Sequence, residues 1–402
     1  MPKTDTILVI NAGSSSIKFS LYPAAGEDSP VGSGIIEGIG VHPEFKARIA
    51  TRTYTDSWPE GRDLDHEHFF GFLLDLLAEA LPEAPIVAAG HRVVHGGTGF
   101  AAPVLVDAAV LEELQRLVPL APLHQPHNIA GITALGARAP SVPQIACFDT
   151  AFHRTTAERD QLYGLPLSYA EAGLRRYGFH GLSYEFIAQA LPGYDGTAAA
   201  GRTVIAHLGN GASLCALAGG RSRGCSMGFS TLDGLIMGTR CGSIDPGVLI
   251  HLMREEAMDA AALEQLLYKQ SGLLGLSGIS ADMRDLLASD RPQAAEAIEM
   301  FCDRIGEQVA QLAARLGGLD AVVFTAGIGE RSADIRAAVS RRLAWLSAEL
   351  DVEANAAGGP RISTPASRVG LWIVPTDEES MIARHTRALL SDRRPSPAAA
   401  GA

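Results

Sequence analysis

A chain of 402 residues is too long for one ordinary hydrophobic core and calls for two domains. Its 47% hydrophobic and 19% charged residues exclude long disordered stretches, and a formal charge of -12 excludes a basic nucleic-acid-binding face. Lysine is confined to Lys3, Lys18, Lys46 and Lys269, so an anionic ligand must be held largely by arginines and backbone amides. Cys147, Cys215, Cys225, Cys241 and Cys302 form no CxxC pair, which argues against a disulfide framework or a zinc site and fits a reducing cytoplasm. No secretory signal and no apolar run of about 20 residues is present, so neither export nor membrane insertion is expected.

In chain order, Ile7 to Ile10 read as a strand, a Gly and Ser turn follows, and Ile17, Phe19 and Leu21 alternate with Lys18 and Ser20 as a second strand would. Helical periodicity covers 69–81, ended by Pro82, and 108–117 behind the N-cap Asp107. The apolar runs 86–89 and 144–148 lie between helical segments as strands of an α/β fold. A further strand, 204–208, meets a second glycine turn and continues through Leu214 and Ala216. Ser16 and Ile17 fall on Ser213 and Leu214 under one offset, a faint sign of duplication. Beyond Pro246 the pattern is helical, with a long helix over 293–316, a strand over 321–325, a turn over 326–330, a last strand over 370–374 and a final helix from Glu378. The segment 395–402 is a Pro and Ala tail expected to stay unordered.

No GxxxxGK[ST] loop occurs, and Gly327-Ile328-Gly329 lacks the third glycine of a dinucleotide fingerprint. Asn11 to Ser16 allows backbone N-H groups to approach an anion, with hydroxyls and Lys18 nearby; taken alone it fits a hairpin turn as well. Gly209-Asn210-Gly211 carries the same two readings, and two such turns in equivalent places favour phosphate. Arg92 and Arg240, each beside glycine, suit bidentate binding of carboxylate or phosphoryl oxygens, or else ion-pair anchoring. Asp149 and Glu378 are oxygen ligands suited to Mg²⁺, or else a turn residue and a helix-dipole partner. His180, between Phe179 and Gly181, is a transition-state donor candidate, followed by His124. The pairs His91/His95 and His124/His127 have metal-like spacing without a third ligand.

The motifs Asn11-Ala12-Gly13-Ser14-Ser15-Ser16-Ile17-Lys18, His91-Arg92-Val93-Val94-His95-Gly96-Gly97, Phe148-Asp149-Thr150-Ala151-Phe152-His153, Tyr177-Gly178-Phe179-His180-Gly181, His207-Leu208-Gly209-Asn210-Gly211, Met237-Gly238-Thr239-Arg240-Cys241-Gly242 and Phe324-Thr325-Ala326-Gly327-Ile328-Gly329-Glu330 occur in one order from Val9 to about Leu389. Together they resemble the acetate and propionate kinase family of the actin-like sugar-kinase superfold.

That resemblance implies a two-domain α/β actin-like ATPase fold with a duplicated βββαβαβα core and an interdomain cleft. The domains would be 1–150 with the helix 378–391 packed on it, and a nucleotide-binding domain over 151–377, leaving 392–402 as a disordered tail. It implies in-line transfer between ATP and a carboxylate, with Mg²⁺, or Mn²⁺ in its place, and a cytoplasmic homodimer. Arg92 and Arg240 would orient the carboxylate and the migrating phosphoryl group, His180 would stabilise its equatorial oxygens, and Asp149 and His124 complete the catalytic set. Asn11 and Glu378 would serve the metal. Ser14, Ser16, Lys18, His207, Leu208, Gly209, Asn210 and Gly211 would meet the nucleotide phosphates, with Ala326, Gly327, Ile328 and Gly329 bordering the adenosine.

Val94, Leu123, Phe179 and Thr231 would line the acyl pocket. Thr231 stands where the family often has proline, a change able to widen the pocket, so acetate and propionate stay open as substrates, and a related kinase for a branched or longer acid, such as butyrate or propionate, is the serious rival. Asp377 and Arg331 replace asparagines of the family pattern. A non-enzymatic ATP-switched binding protein of the same superfold is the rival of a different class, although it would not need Arg92, Arg240 and His180 together.

Overall fold

The computed structural model of the chain describes residues 5–13, 15–26, 28–82 and 84–391. The chain divides into two compact units, one running to Ala151 and resuming at Asp377, the other spanning Phe152–Thr376.

The first unit is built on a sheet of strands β1 (Thr6–Ala12), β2 (Ser16–Pro23), β3 (Gly32–Glu37), β4 (Glu44–Ile49), β5 (Arg52–Ser57), β6 (Ile86–Val93), β7 (Val104–Leu105) and β8 (Gln144–Phe148), in the order β5-β4-β3-β2-β1-β6-β8-β7. β1 and β2 pair antiparallel from Thr6↔Pro23 to Ala12↔Ile17, the expected hairpin. β1, β6 and β8 run parallel, and β8 is buried throughout, as a strand covered on both faces must be. β5 ends the sheet with charged, exposed residues, which discourages further strand pairing.

The helix His66–Ala80 begins three residues before the predicted start, because the Asp65 carboxylate accepts the His68 N-H and caps it there. Its Phe69, Phe70, Leu73 and Leu77 share one face and pack into a core with Phe19, Phe45 and Leu135. Full burial of side chains of this size contributes about 1.5–3 kcal/mol each. The helix Glu378–Ser391 lies on β6 at Gly90, where a Cβ would come 2.4 Å from Thr386 Oγ1 and 2.5 Å from Ile382 Cγ2.

The second unit carries β9 (Arg202–Leu208), β10 (Ala212–Ala218), β11 (Arg221–Cys225), β12 (Ala321–Thr325) and β13 (Gly370–Ile373), in the order β11-β10-β9-β12-β13. β9 pairs antiparallel with β10 and β10 with β11, whereas β9, β12 and β13 are parallel. The run β3-β2-β1-β6-β8 has the same order and the same sequence of directions. The duplication hinted at by Ser16 and Ser213 is therefore explicit in strand order.

The helix Pro292–Leu316 opens with proline and stops at Gly317, whose φ of 70° is one that glycine adopts without penalty. The segment after β12, expected as a turn, is instead the short helix Ala326–Arg331, since the Glu330 carboxylate accepts the Ala326 N-H and closes its first turn. The expected tail, 392–402, lies outside the described residues. No helix among the described residues is long and apolar enough to cross a membrane.

Candidate active site

In the first unit, three parallel strands bring polar groups to their carboxyl ends, where open α/β sheets hold ligands. β1 supplies Asn11, β6 supplies Arg92, and Asp149 follows directly on β8. Arg92 donates through Nε to both Asp149 oxygens at 3.1 Å and through Nη2 to Oδ2 at 2.6 Å, while Nη1 reaches Asn11 Oδ1 at 3.1 Å. Glu378 Oε2 lies 3.9 Å from Arg92 Nε. Four of the predicted residues thus form one cluster.

Asp149 is 1% exposed, so its charge depends on Arg92. Burial opposes the charge on Arg92, yet the Asp149 and Glu378 carboxylates hold its pKa above the ordinary arginine value. Glu378 is pushed well above the usual carboxylate range by burial and by the Asp149 and Glu379 carboxylates, against the pull of Arg92 and Lys18. Asp377 Oδ1 accepts the Ser380 N-H and caps the helix that presents Glu378.

Two residues of the helix Gln125–Arg138 brace the strand ends. Asn128 donates to Ala12 O at 2.8 Å and accepts the Val94 N-H at 3.0 Å, and Gln125 exchanges bonds with the His95 backbone. His66 Nε2 donates to Gly13 O at 2.7 Å, beside the bond from Gly13 N to Ser16 O. Lys18 is exposed on β2 and Ser16 half-buried; Ser14 lies outside the described residues. Val94 is buried, while Leu123 and His124 are half-buried ahead of that helix.

In the second unit the same logic recurs. β9 ends in His207 and Leu208 and leads into Gly209, Asn210 and Gly211; β12 ends at Thr325, and the chain beyond β13 reaches Thr376. Glu330 Oε1 ties two of these ends, accepting the N-H of Ala326 at 2.8 Å and of Thr376 at 3.1 Å. The Ala326–Gly329 stretch is also held from behind by Arg336, which is 2% exposed and donates to the carbonyls of Gly329, Glu330 and Asn355.

His180 caps the helix Gly181–Ala190 in a left-handed conformation, φ 55°. A Cβ built at Gly211 would lie 3.5 Å from His180 Nε2 and 3.9 Å from Arg240 Nη1, so both side chains face the Gly209–Gly211 turn. Arg240 Nη1 donates to Thr231 O at 3.0 Å, which links the arginine to the residue at the expected acyl pocket. Phe179 is buried. A Cβ at Gly238 would overlap Asn210 Oδ1, so any other residue here would displace the Asn210 side chain.

Sequence reasoning did not find Arg336, Asn128, Gln125 or the bracing role of Glu330. Asn128 and Gln125 act on backbone 30 or more positions away, and Arg336 and Glu330 join near backbone to groups 19 and 46 positions away. The one local sign was a charged or amide residue in a helical segment. Among the described residues no group of three or more His, Cys, Asp or Glu side chains converges as a metal site.

The Acetokinase family matches residues 6–384. An acetate kinase of Rhodopseudomonas palustris (strain ATCC BAA-98 / CGA009) is 51% identical over 399 residues, covering 97% of this chain and 100% of the relative. One from Methylocella silvestris is 50% identical, covering 96% and 98%. Among solved structures, a propionate kinase from Francisella tularensis superposes with a TM-score of 0.88 at 36% identity, covering 96% of this chain and 99% of that one. Porphyromonas gingivalis acetate kinase gives 0.84 at 35% identity, covering 96% and 100%. With its duplicated sheets, its strand-end clusters and this full-length similarity, the chain belongs to the acetokinase family.

Proposed function

We propose that the protein is a kinase that transfers the γ-phosphoryl group of ATP to acetate, reversibly, giving acetyl phosphate and ADP by in-line displacement. The observation that carries this is the convergence of His180 Nε2 and Arg240 Nη1 on the glycine turn of β9–β10. A loose phosphoryl-transfer transition state needs positioning and charge stabilisation rather than covalent help. A carboxylate nucleophile is ionised at neutral pH, so no general base is required.

In this mechanism the amides of Gly209, Asn210 and Gly211, with His207 and Leu208 behind them, hold the nucleotide phosphates, joined by Ser14, Ser16 and Lys18. Ala326, Gly327, Ile328 and Gly329 border the adenosine. His180 donates to an equatorial oxygen of the migrating group, and Arg240 and Arg92 neutralise the charge that gathers there and on the acceptor carboxylate. His124 acts as a further donor near the acceptor. Val94, Leu123, Phe179 and Thr231 enclose the methyl group. We assign 1–150 with 378–391 as the acceptor and metal domain and 151–377 as the nucleotide domain.

The acidic cluster fits Mg²⁺, or Mn²⁺ in its place: Asp149, Glu378 and Glu379 lie together, and Glu378 resists ionisation chiefly because it is buried, with the neighbouring carboxylates adding to the effect. Mg²⁺ is usually held by one or two carboxylates plus substrate phosphates, which agrees with the lack of a preformed cage. Asp149, Glu378 and Asn11 would hold it. When bound, such an ion would offset the charge of the phosphate oxygens.

We also propose a homodimer in the cytoplasm. The helix Pro246–Glu255 buries none of its residues and exposes Ile250 and Met253 on one side, with Val248 also exposed, an apolar surface suited to a second copy. Thr231 supports a second acceptor, propionate. Hydroxamate trapping of the acyl phosphate, with acetate, propionate and butyrate compared by kcat/KM, tests the assignment. Acetate should rank first; no acyl phosphate from any of the acids would refute the function.

A further inference from the structure

Ser213 and Tyr184 have no part in the mechanism above, yet they sit against its central histidine. Ser213 Oγ is 2.8 Å from His180 Nδ1 and 2.5 Å from Tyr184 Oη. Both residues are fully buried, Ser213 on β10 and Tyr184 one turn into the helix that His180 caps. The Tyr184 N-H also bonds His180 O at 3.1 Å, so backbone and side chain both tie the tyrosine to this histidine. On its face the His180 ring stacks on His207 with centroids 4.2 Å apart and an interplanar angle of 20°, which fixes the ring plane.

The chain Tyr184, Ser213, His180 therefore has fixed geometry, and chemistry gives it a direction. A phenol, with a pKa near 10, donates more readily than an aliphatic hydroxyl. If Tyr184 donates to Ser213 Oγ, the one serine proton goes to His180 Nδ1. A neutral imidazole that accepts at Nδ1 carries its proton on Nε2. Nε2 is the nitrogen that faces Gly211 and Arg240. Other titratable groups about this chain are His207, stacked on His180 and bonded through Nδ1 to Ser183 Oγ, Arg240, which faces the same glycine turn, His153, whose ring is edge-on to Tyr184, and Cys225, which burial pushes up to about 11 and which therefore stays a thiol beside Ser213.

We infer that Ser213 and Tyr184 are positioning residues that hold His180 in the tautomer with its proton on Nε2, so that the ring can donate to the migrating phosphoryl group without first changing tautomer. This rests on the phosphoryl-transfer role of His180 proposed above. It also gives a reason for serine at position 213: a hydroxyl can accept and donate at once, whereas alanine breaks the chain.

The test uses the full chain labelled with ¹⁵N-histidine, the His180 signals being assigned by their loss in His180→Gln. Long-range ¹H-¹⁵N correlation on the unmodified protein should show His180 neutral with the proton on Nε2. A proton on Nδ1 overturns the inference, and this measurement needs no other variant to fold. In folded Ser213→Ala and Tyr184→Phe, Nδ1-H signal should appear and kcat should fall roughly 10- to 100-fold, as when orienting partners of a functional histidine are removed. KM for ATP and acetate should stay within about twofold, because positioning acts in the transition state. Unchanged kcat in both variants would also overturn it. Absence of acetate-dependent turnover in the unmodified protein would instead reject the proposed function, while the tautomer of His180 would still decide the arrangement described here.

Discussion

Arg92 illustrates what a single residue's surroundings add to its motif. The sequence places it in a strand before two glycines and leaves two readings, a fork that grips a ligand or an ion-pair anchor. In the structure the fork is engaged by Asp149 and Asn11. Truncation to alanine would strand a carboxylate that is 1% exposed, at about 3–5 kcal/mol, and confuse stability with catalysis. Arg92→Lys is the cleaner variant: it keeps the charge but not the planar fork. We expect kcat/KM for acetate to fall by about 10²-fold or more, with the melting temperature lowered only slightly. Activity within a few-fold of the parent would remove Arg92 from the mechanism. The link to Asp149 could not be read from sequence, because the partners lie 57 positions apart and nothing local says that β6 and β8 are neighbours. What was legible was the residue type that each strand end required.

Elements explain the rest of the site. Strands β1, β6 and β8, and again β9, β12 and β13, were visible as apolar runs, and their polar ends were visible as motifs. The scaffolding behind them was not. Gly272, φ 64°, lies under the Arg240 loop, and a Cβ there would stand 2.2 Å from Met237 O and 2.7 Å from Arg240 O. Left-handed backbone costs a side-chain-bearing residue about 1–2 kcal/mol before any collision. Gly272→Ala should therefore displace the loop, lowering kcat while circular dichroism stays native; an unaltered kcat would show that the loop tolerates the shift.

Arg336 plays the matching part under the 326–331 helix. Its replacement by alanine leaves several buried carbonyls without a donor and opens a void. Each unsatisfied group costs about 1–3 kcal/mol. We expect a clear loss of stability and a raised KM for ATP, read by thermal unfolding with and without nucleotide. A variant as stable as the parent would mean that water replaces the guanidinium.

The whole molecule carries an acid sensitivity distributed over both units. Burial pushes His91 and His95 in the first unit and His153 in the second down to about 4. The unfolded chain binds these protons near 6.5, so between about pH 6.5 and 4 it holds more of them than the native state does. Native stability should fall on acidification through that window, by up to about 1.4 kcal/mol per pH unit for each histidine. Urea midpoints measured at pH 7 and pH 5 check this, and a midpoint that does not move would contradict the burial of these rings. Sequence showed His91 and His95 as a pair at metal-like spacing and His153 only as part of a motif; that all three are buried follows from the strands and helices packed around them.

Because Gly90 receives the helix Glu378–Ser391, the first unit is finished by a segment that follows the whole second unit in the chain. On the ribosome, β1 to β8 thus emerge with an open seat on β6 and wait through the synthesis of some 225 further residues before that seat is filled. The acidic group Glu378 arrives with the same helix. A chain interrupted before it would contain the entire second unit and most of the first, yet would lack both the packing and the carboxylate that complete the latter. Completion of the fold and acquisition of the last candidate metal ligand are one event, so partial products of translation are born without the means to spend ATP on an acceptor.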